Sequence, residues 1–484
     1  MVAGDNDPMP IERTMRALAI IPYAILVLVA QAGVDAIPGV VAIREGGMGL
    51  GSALILGQAV QVAALPLGAI GAAWIVDRGS RHAAVLPGAV LLGAGFLSVN
   101  FQTVGDLGWV LVAQAMAGAG IGAILTAAFA SAAAVSISNR PLAIAVLLLA
   151  VLAARSVVGI ILLGGTLTLT AAAAAVVALS LLAAWLAGAA SAERSAAFRA
   201  TSRLRHEAPV WSGALGGILL AAGMFASFVG ADPSRVSAAL LTPFLGVGSL
   251  QMFDALRGAA LVVGLALVFA GAVLVLIRRG VDRRTIGAAV TILLVASAVS
   301  GIGAALAFVA MTDVSIPGER AIPLVSAAAV VGSALGIGVG SLWLRQRRRP
   351  RIVATLGSIV LASATVAGVI ALAGPLQQAT DLAAIVALLT SLGFGGGLAA
   401  CALRLVLADS ASHQRGLTAG AGVVAASFGS VLGSLIGNGE AVRFAAGGNG
   451  PVSVGLLLLP AAGAAAVIMA RLLTPVRFPT SEDA

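Results

Sequence analysis

The sequence predicts an all-α polytopic membrane protein of fourteen transmembrane helices, built as two six-helix bundles with two further helices between them. Three observations predict it. Of 484 residues, 60% are hydrophobic and only 10% charged. The apolar runs repeatedly reach the roughly 20 residues that a helix needs to cross the hydrocarbon core of a bilayer. The charges that remain gather in short loops between those runs, as orientation in a membrane requires. A spanning backbone in lipid has to satisfy its own hydrogen bonds, and a helix does so within one segment.

Taken in order, the polar start Met1–Arg16 leads into an apolar run at 16–38. That run is too long for a signal-peptide core and has no small-residue cleavage site, so it is expected to be a retained first helix. Spans follow at 50–76, 83–102, 107–135, 141–163 and 167–190, which complete a first bundle over 1–190. The segment 191–285 holds a cytoplasmic loop and the seventh and eighth spans, at 209–230 and 255–277. Between those two spans, 231–254 contains a twelve-residue apolar run broken by Pro243, which is too short to span and is expected to be re-entrant or interfacial on the outer side. The second bundle, 286–484, carries spans at 286–311, 321–344, 352–373, 382–408, 416–437 and 452–474.

All 28 basic residues are arginine, and the formal charge is +9. With the amino terminus in the cytoplasm, 21 arginines fall on the inner side and five on the outer. This split places both termini inside and requires an even number of spans. It also accounts for the basic balance without nucleic acid, which is not expected as a partner. Abundant Ala and Gly with arginine in place of lysine suggest a GC-rich gene, hence a bacterial protein of the inner (plasma) membrane. The single Cys401 lies in an apolar run, and His82, His206 and His413 are scattered over loops. Neither a disulfide framework nor a metal site is expected, and no cofactor. Gly395–Gly397 lies inside a span rather than after a strand, so it does not read as a phosphate loop. Most of the 61 glycines are expected at helix contacts, where small residues let backbones approach.

The loop after the second span reads Gly71-Ala-Ala-Trp-Ile-Val-Asp77-Arg78-Gly79-Ser80-Arg81, and the loop after the tenth reads Gly340-Ser-Leu-Trp-Leu-Arg345-Gln-Arg347-Arg348-Arg349. A second pair opens the fifth and thirteenth spans, at Arg140-Pro-Leu-Ala143 and Arg415-Gly416-Leu-Thr-Ala-Gly420. The first pair is 267 residues apart and the second 275, so the chain reads as two related halves. The Asp77–Arg81 loop resembles the signature loop of the major facilitator superfamily, and fourteen spans with two extra helices between the halves resemble its drug–proton antiporter branch. The resemblance implies a secondary transporter. It also implies that Asp77 docks on the start of the thirteenth helix, around Gly416–Ala419, as an inner-side latch supported by Arg78 and Arg81. The second-half loop has lost its Asp, so a single latch of this kind is expected. The chain departs from the branch at three places: Gln114 stands where an arginine often precedes Gly-x-Gly, Ile160 and Ile161 precede Gly164-Gly165 where Gly-Pro is usual, and the early acid of the first span is missing.

A charge near the bilayer centre costs at least about 2.5–3.5 kcal/mol, which marks intramembrane charges as candidates for function. Arg155, midway along the fifth span, and Asp35, in the outer half of the first, are the proposed proton- or substrate-responsive residues. The alternative roles are a structural clamp on backbone carbonyls for Arg155 and simple exposure to outer water for Asp35. Gln31, Gln58, Gln61 and Gln114 are candidate cavity-lining groups, with interhelical hydrogen bonding as the competing role. Arg404 and Asp409 are expected at the inner boundary, Arg404 snorkelling toward water.

Few intramembrane charges and 4% aromatic content disfavour a sugar or a multiply charged solute. The expected substrate is a hydrophobic or amphiphilic molecule, drug-like or lipid, exported by alternating access by a monomer, with protons as the candidate coupling ion and membrane lipids as surroundings. The competing reading is a transport-inactive relative serving as a scaffold or regulator of envelope assembly. An enzyme is not expected, because no paired outer carboxylates, His/Cys cluster or nucleophile–base pair is evident.

Overall fold

The computed structural model describes residues 20–44, 51–78, 84–101, 107–189, 282–312, 318–373, 382–410, 415–445 and 454–473, with short pieces at 215–216, 218–219, 222, 264 and 267–273. The described residues form α1 (Ile20–Arg44), α2 (Gly51–Asp77), α3 (Val85–Ser98, extended by a 3₁₀ turn at Val99–Phe101), α4 (Leu107–Ala133) and α5 (Arg140–Ala189). After the central segment come α6 (Arg283–Thr312), α7 (Gly318–Arg347), α8 (Pro350–Ala373), α9 (Leu382–Ser410), α10 (Arg415–Ala445) and α11 (Val454–Leu472). Nine stretches in these helices are long and apolar enough to cross a membrane, and three shorter apolar stretches lie at Val85–Ser98, Arg140–Ala154 and Leu456–Leu472. These twelve stretches correspond to twelve of the fourteen expected spans. Most of the seventh and eighth spans, and the whole of 231–254, lie outside the described residues.

The chain is an all-α, multi-pass membrane protein. Several hydroxyls in its helices need no water: Ser180, Thr291, Ser297 and Ser333 each donate to the carbonyl four residues earlier, which satisfies the side chain inside its own helix. Helix α5 holds the fifth and sixth spans. They part at Gly165, whose φ of 58° and ψ of −137° lie outside the helical region and suit a residue without a Cβ. Helix α1 continues past Pro38 to Arg44 rather than ending at 38, and α10 extends to Ala445 rather than 437.

The described helices sort into two compact units. One holds α1–α4, α5 from Ala153 onward, and α10 up to Gly420. The other holds Arg140–Leu152 of α5, α6–α9, α10 from Ala421, and α11. Each unit repeats the same close approach of backbones. In the first, a Cβ on Gly120 of α4 would lie 2.7 Å from the Leu92 nitrogen and 2.8 Å from the Gly88 oxygen of α3. In the second, a Cβ on Gly395 of α9 would lie 2.7 Å from the Leu361 nitrogen and 2.9 Å from the Gly357 oxygen of α8. Lipid offers no hydrophobic drive for helix association, so van der Waals contact between backbones has to supply it, and glycine permits the shortest approach. The α2–α4 contact works likewise through Gly118 and Gly122, and the α7–α9 contact through Gly332 and Gly336.

Candidate functional site

The first candidate feature lies at the end of α2, at Asp77. The first amides of a helix have no intrahelical acceptor and carry the positive end of its dipole. At α10 they meet Asp77: the Gly416 N–H donates to Oδ1 at 2.7 Å and the Leu417 N–H to Oδ2 at 3.1 Å. Both carboxylate oxygens are therefore used on one helix start. The contact depends on Gly416, because a Cβ there would sit 2.5 Å from the Ala73 oxygen and 2.8 Å from the Val76 Cβ of α2. Arg78 turns away from this pair and lies over the Trp74 ring, 3.8 Å from its centroid, with both side chains exposed. Arg81 lies outside the described residues.

A second polar tie joins the start of α5 to the end of α9. Arg140 Nη1 donates to Asp409 Oδ1 at 2.6 Å, with the two side chains 13% and 8% exposed. The second-half loop has no acid, and this tie is an ion pair to an acid at the end of α9 rather than a second carboxylate on a helix start. The signal was present as Arg140 opening the fifth span and Asp409 closing the twelfth. Separation by 269 residues hid their pairing.

Arg404 also departs from expectation. It is buried in the second unit rather than snorkelling. Gly422 of α10 makes the space, since a Cβ there would stand 2.6 Å from Arg404 Nη1.

Among the intramembrane candidates, Gln31 Nε2 donates to Asp35 Oδ1 at 2.8 Å, one helical turn further along α1, and Asp35 is exposed on its unit. Gln114 is fully buried, and both its amide oxygen and its amide nitrogen are without a hydrogen-bond partner. Gln61 is half-buried, and its backbone packs against Gly118, one turn beyond Gln114 on α4. Gly33 of α1 lies against Phe96 of α3, while neighbouring Gly95 lies against Ala113 and Ala117 of α4. The Gln31–Asp35 turn and Gln114 thus share a level of the first unit. Arg155 and Gln58 lie on α5 and α2, but their side chains are outside the described residues. An orphaned buried amide costs roughly 1–3 kcal/mol. Gln114→Leu, which keeps the volume and removes the polar atoms, is therefore expected to raise the unfolding free energy by about 1–3 kcal/mol. Thermal unfolding of the purified protein in detergent checks this.

Comparison with solved structures places this arrangement. The chain is similar to the E. coli fucose:proton symporter FucP (TM-score 0.52, 13% identity, 95% of this chain and 100% of that one). It is similar to the human organic anion transporter MFSD10 (TETRAN), with TM-score 0.57, 13% identity, and 96% and 100% of the two chains covered. It is also similar to a bacterial homologue of the iron transporter ferroportin in an outward-facing state with soaked iron (TM-score 0.55, 13% identity, 93% and 98%). The chain shares the fold of these three transporters. No protein-family model and no curated protein matches the sequence. Transporters named for a sugar, for organic anions and for iron share the major facilitator fold, so the fold by itself selects no cargo.

Proposed function

We propose that the protein is a secondary transporter working by alternating access, that it exports a hydrophobic or amphiphilic molecule, and that protons are the coupling ion. The observation that carries this reading is the Asp77 carboxylate capping the first amides of α10. A carboxylate on a helix start is a strong but reversible contact, and α10 passes from one compact unit to the other just beyond it, at Gly420–Ala421. Releasing Asp77 frees the first turn of α10 from α2, which is the movement an inner gate needs. The low intramembrane charge supports an apolar cargo, and the Gln31–Asp35 pair supplies a protonatable group in the outer half of α1. Protonation of Asp35 would remove its charge and leave Gln31 as its hydrogen-bond partner. Membership of the drug–proton antiporter branch rests on the span number and the Asp77–Arg81 loop.

The test is flux of a fluorescent amphiphilic cation in proteoliposomes under an imposed pH gradient. Hydrogen bonds to a charged group contribute roughly 1.5–3 kcal/mol, so Asp77→Ala is expected to shift the closed–open equilibrium by about 10- to 100-fold. That shift is read as faster maleimide labelling of Thr418→Cys, a position buried in the first turn of α10. Asp77→Ala is expected to cut flux at least tenfold, and Asp35→Asn to make flux independent of the gradient. Gradient-driven flux that survives Asp35→Asn removes Asp35 from the coupling. Absence of flux of any amphiphile by the well-folded wild type favours the scaffold reading.

A further inference from the structure

The turn between α7 and α8 is far more basic than orientation requires. Arg345, Arg347, Arg348, Arg349 and Arg351 occupy five of seven consecutive positions, and all are exposed. The corresponding first-half loop carries Arg78 and Arg81 beside Asp77, and Arg78 is stacked on Trp74. The second-half turn has no acid of its own. Arg348 is within electrostatic reach of Asp409, but that carboxylate is already bonded by Arg140. The backbone of the turn keeps the five arginine positions close together. Two residues, Arg348 and Arg349, link the helices, and Arg348 has a φ of 45°, the one positive value at a non-glycine among the described residues. The Arg348 N–H closes α7 onto the Leu344 oxygen at 3.1 Å. The Arg349 carbonyl opens α8 by accepting from Ile352 and Val353 at 3.1 and 3.3 Å. Pro350, which has no N–H to satisfy, is the first residue of α8.

Below this turn each helix shows an exposed apolar stripe with the same spacing: Leu335, Val339 and Leu342 on α7, and Ile352, Leu356 and Ile359 on α8. Residues at i, i+4 and i+7 share a helix face, so both stripes run from the bilayer interior up to the arginines. A cluster of cations at the helix ends beside apolar faces matches one kind of molecule, which has an anionic head and two long tails. We propose that the α7–α8 turn is a headgroup site for an anionic phospholipid of the cytoplasmic leaflet, its acyl chains lying along these faces of α7 and α8. The site stands independently of the transport reading.

The full-length protein, purified and reconstituted into nanodiscs of mixed phosphatidylcholine and phosphatidylglycerol, is delipidated gently, and the retained lipids are counted by native mass spectrometry. A basic residue near an anionic surface contributes about 5-fold in affinity. Replacing three arginines (Arg348→Gln, Arg349→Gln, Arg351→Gln) is therefore expected to weaken phosphatidylglycerol retention on the order of 100-fold. The matching triple substitution to lysine keeps the charge, holds the orientation signal and retains the lipid. Arg283→Gln with Arg284→Gln, at the start of α6, leaves retention unchanged. Equal loss in this control, or full retention in the triple glutamine variant, overturns the proposal. So does displacement of the lipid by millimolar inorganic phosphate, which would mark a site for soluble phosphate.

Discussion

Gly120→Leu and Gly395→Leu are each expected to abolish the folded state in detergent, or to lower the unfolding free energy by 3 kcal/mol or more. A Cβ at either position meets backbone at 2.7 Å, on Leu92 of α3 and Leu361 of α8 respectively. Overpacking a tight site ordinarily costs about 1–3 kcal/mol, when side chains can shift to relieve it. Here the obstructing atoms are backbone nitrogen and oxygen, which move only if whole helices separate. Separation forfeits the dispersion contacts that hold helices together in lipid. Gly303→Leu and Gly338→Leu are the controls, since a Cβ at either glycine has no neighbour within 4 Å. These should unfold within about 1 kcal/mol of the wild type, because trading an open helical glycine for a better helix former even gains a little. Thermal melts of the four proteins, with size-exclusion profiles, check the difference. Because Gly120 and Gly395 are 275 residues apart, the same spacing as Arg140 and Arg415, similar losses at the two would show that the halves use one packing solution twice.

The same contrast between backbone and side chain governs how far the sequence can be read. Span positions were legible because hydrophobic length is a property of local sequence. The end of α2 at Asp77, the start of α8 at Pro350 and the division of α5 at Gly165 all fall at or within a few residues of the apolar boundaries. The all-α class followed from the same property. The approach of Asp77 to the start of α10 was expected only through resemblance to the major facilitator superfamily, since nothing local joins positions 77 and 416. Arg404 shows the limit. Its place near the end of α9 was readable, and a long side chain near a span end ordinarily reaches out to water. Its direction around the helix depended on Gly422 of another helix, one glycine among 61, and the guanidinium went inward. Gln114 was recognised as a polar residue within a span. That its amide would be buried without a partner depended on neighbours that provide no donor or acceptor, which a list of polar positions does not reveal.

Asp409→Ala is expected to be more damaging than Arg140→Leu with Asp409→Leu. Truncating the acid leaves the Arg140 guanidinium, 13% exposed and with its Nε already buried without a partner, as an uncompensated charge at the membrane boundary. Breaking a buried pair by removing one member typically costs about 3–5 kcal/mol, whereas replacing both members with apolar residues of similar size is often neutral or stabilising. The double variant should thus melt close to the wild type and the single variant well below it. The cycle of Asp409→Ala, Arg140→Leu and their combination should give a coupling energy of at least 1 kcal/mol, as contacting residues do. Transport separates a structural role from a gating one. If the ion pair only holds the start of α5 against the end of α9, the apolar double variant restores flux together with stability. If it opens and closes with the cycle, the double variant melts normally yet transports slowly, because apolar side chains in its place part less readily in water than a hydrated ion pair. Near-equal melting of Asp409→Ala and wild type would remove the pair from the forces that hold this end of the second unit together, and of the two contacts only the tie at Asp77 would then have an energetic role.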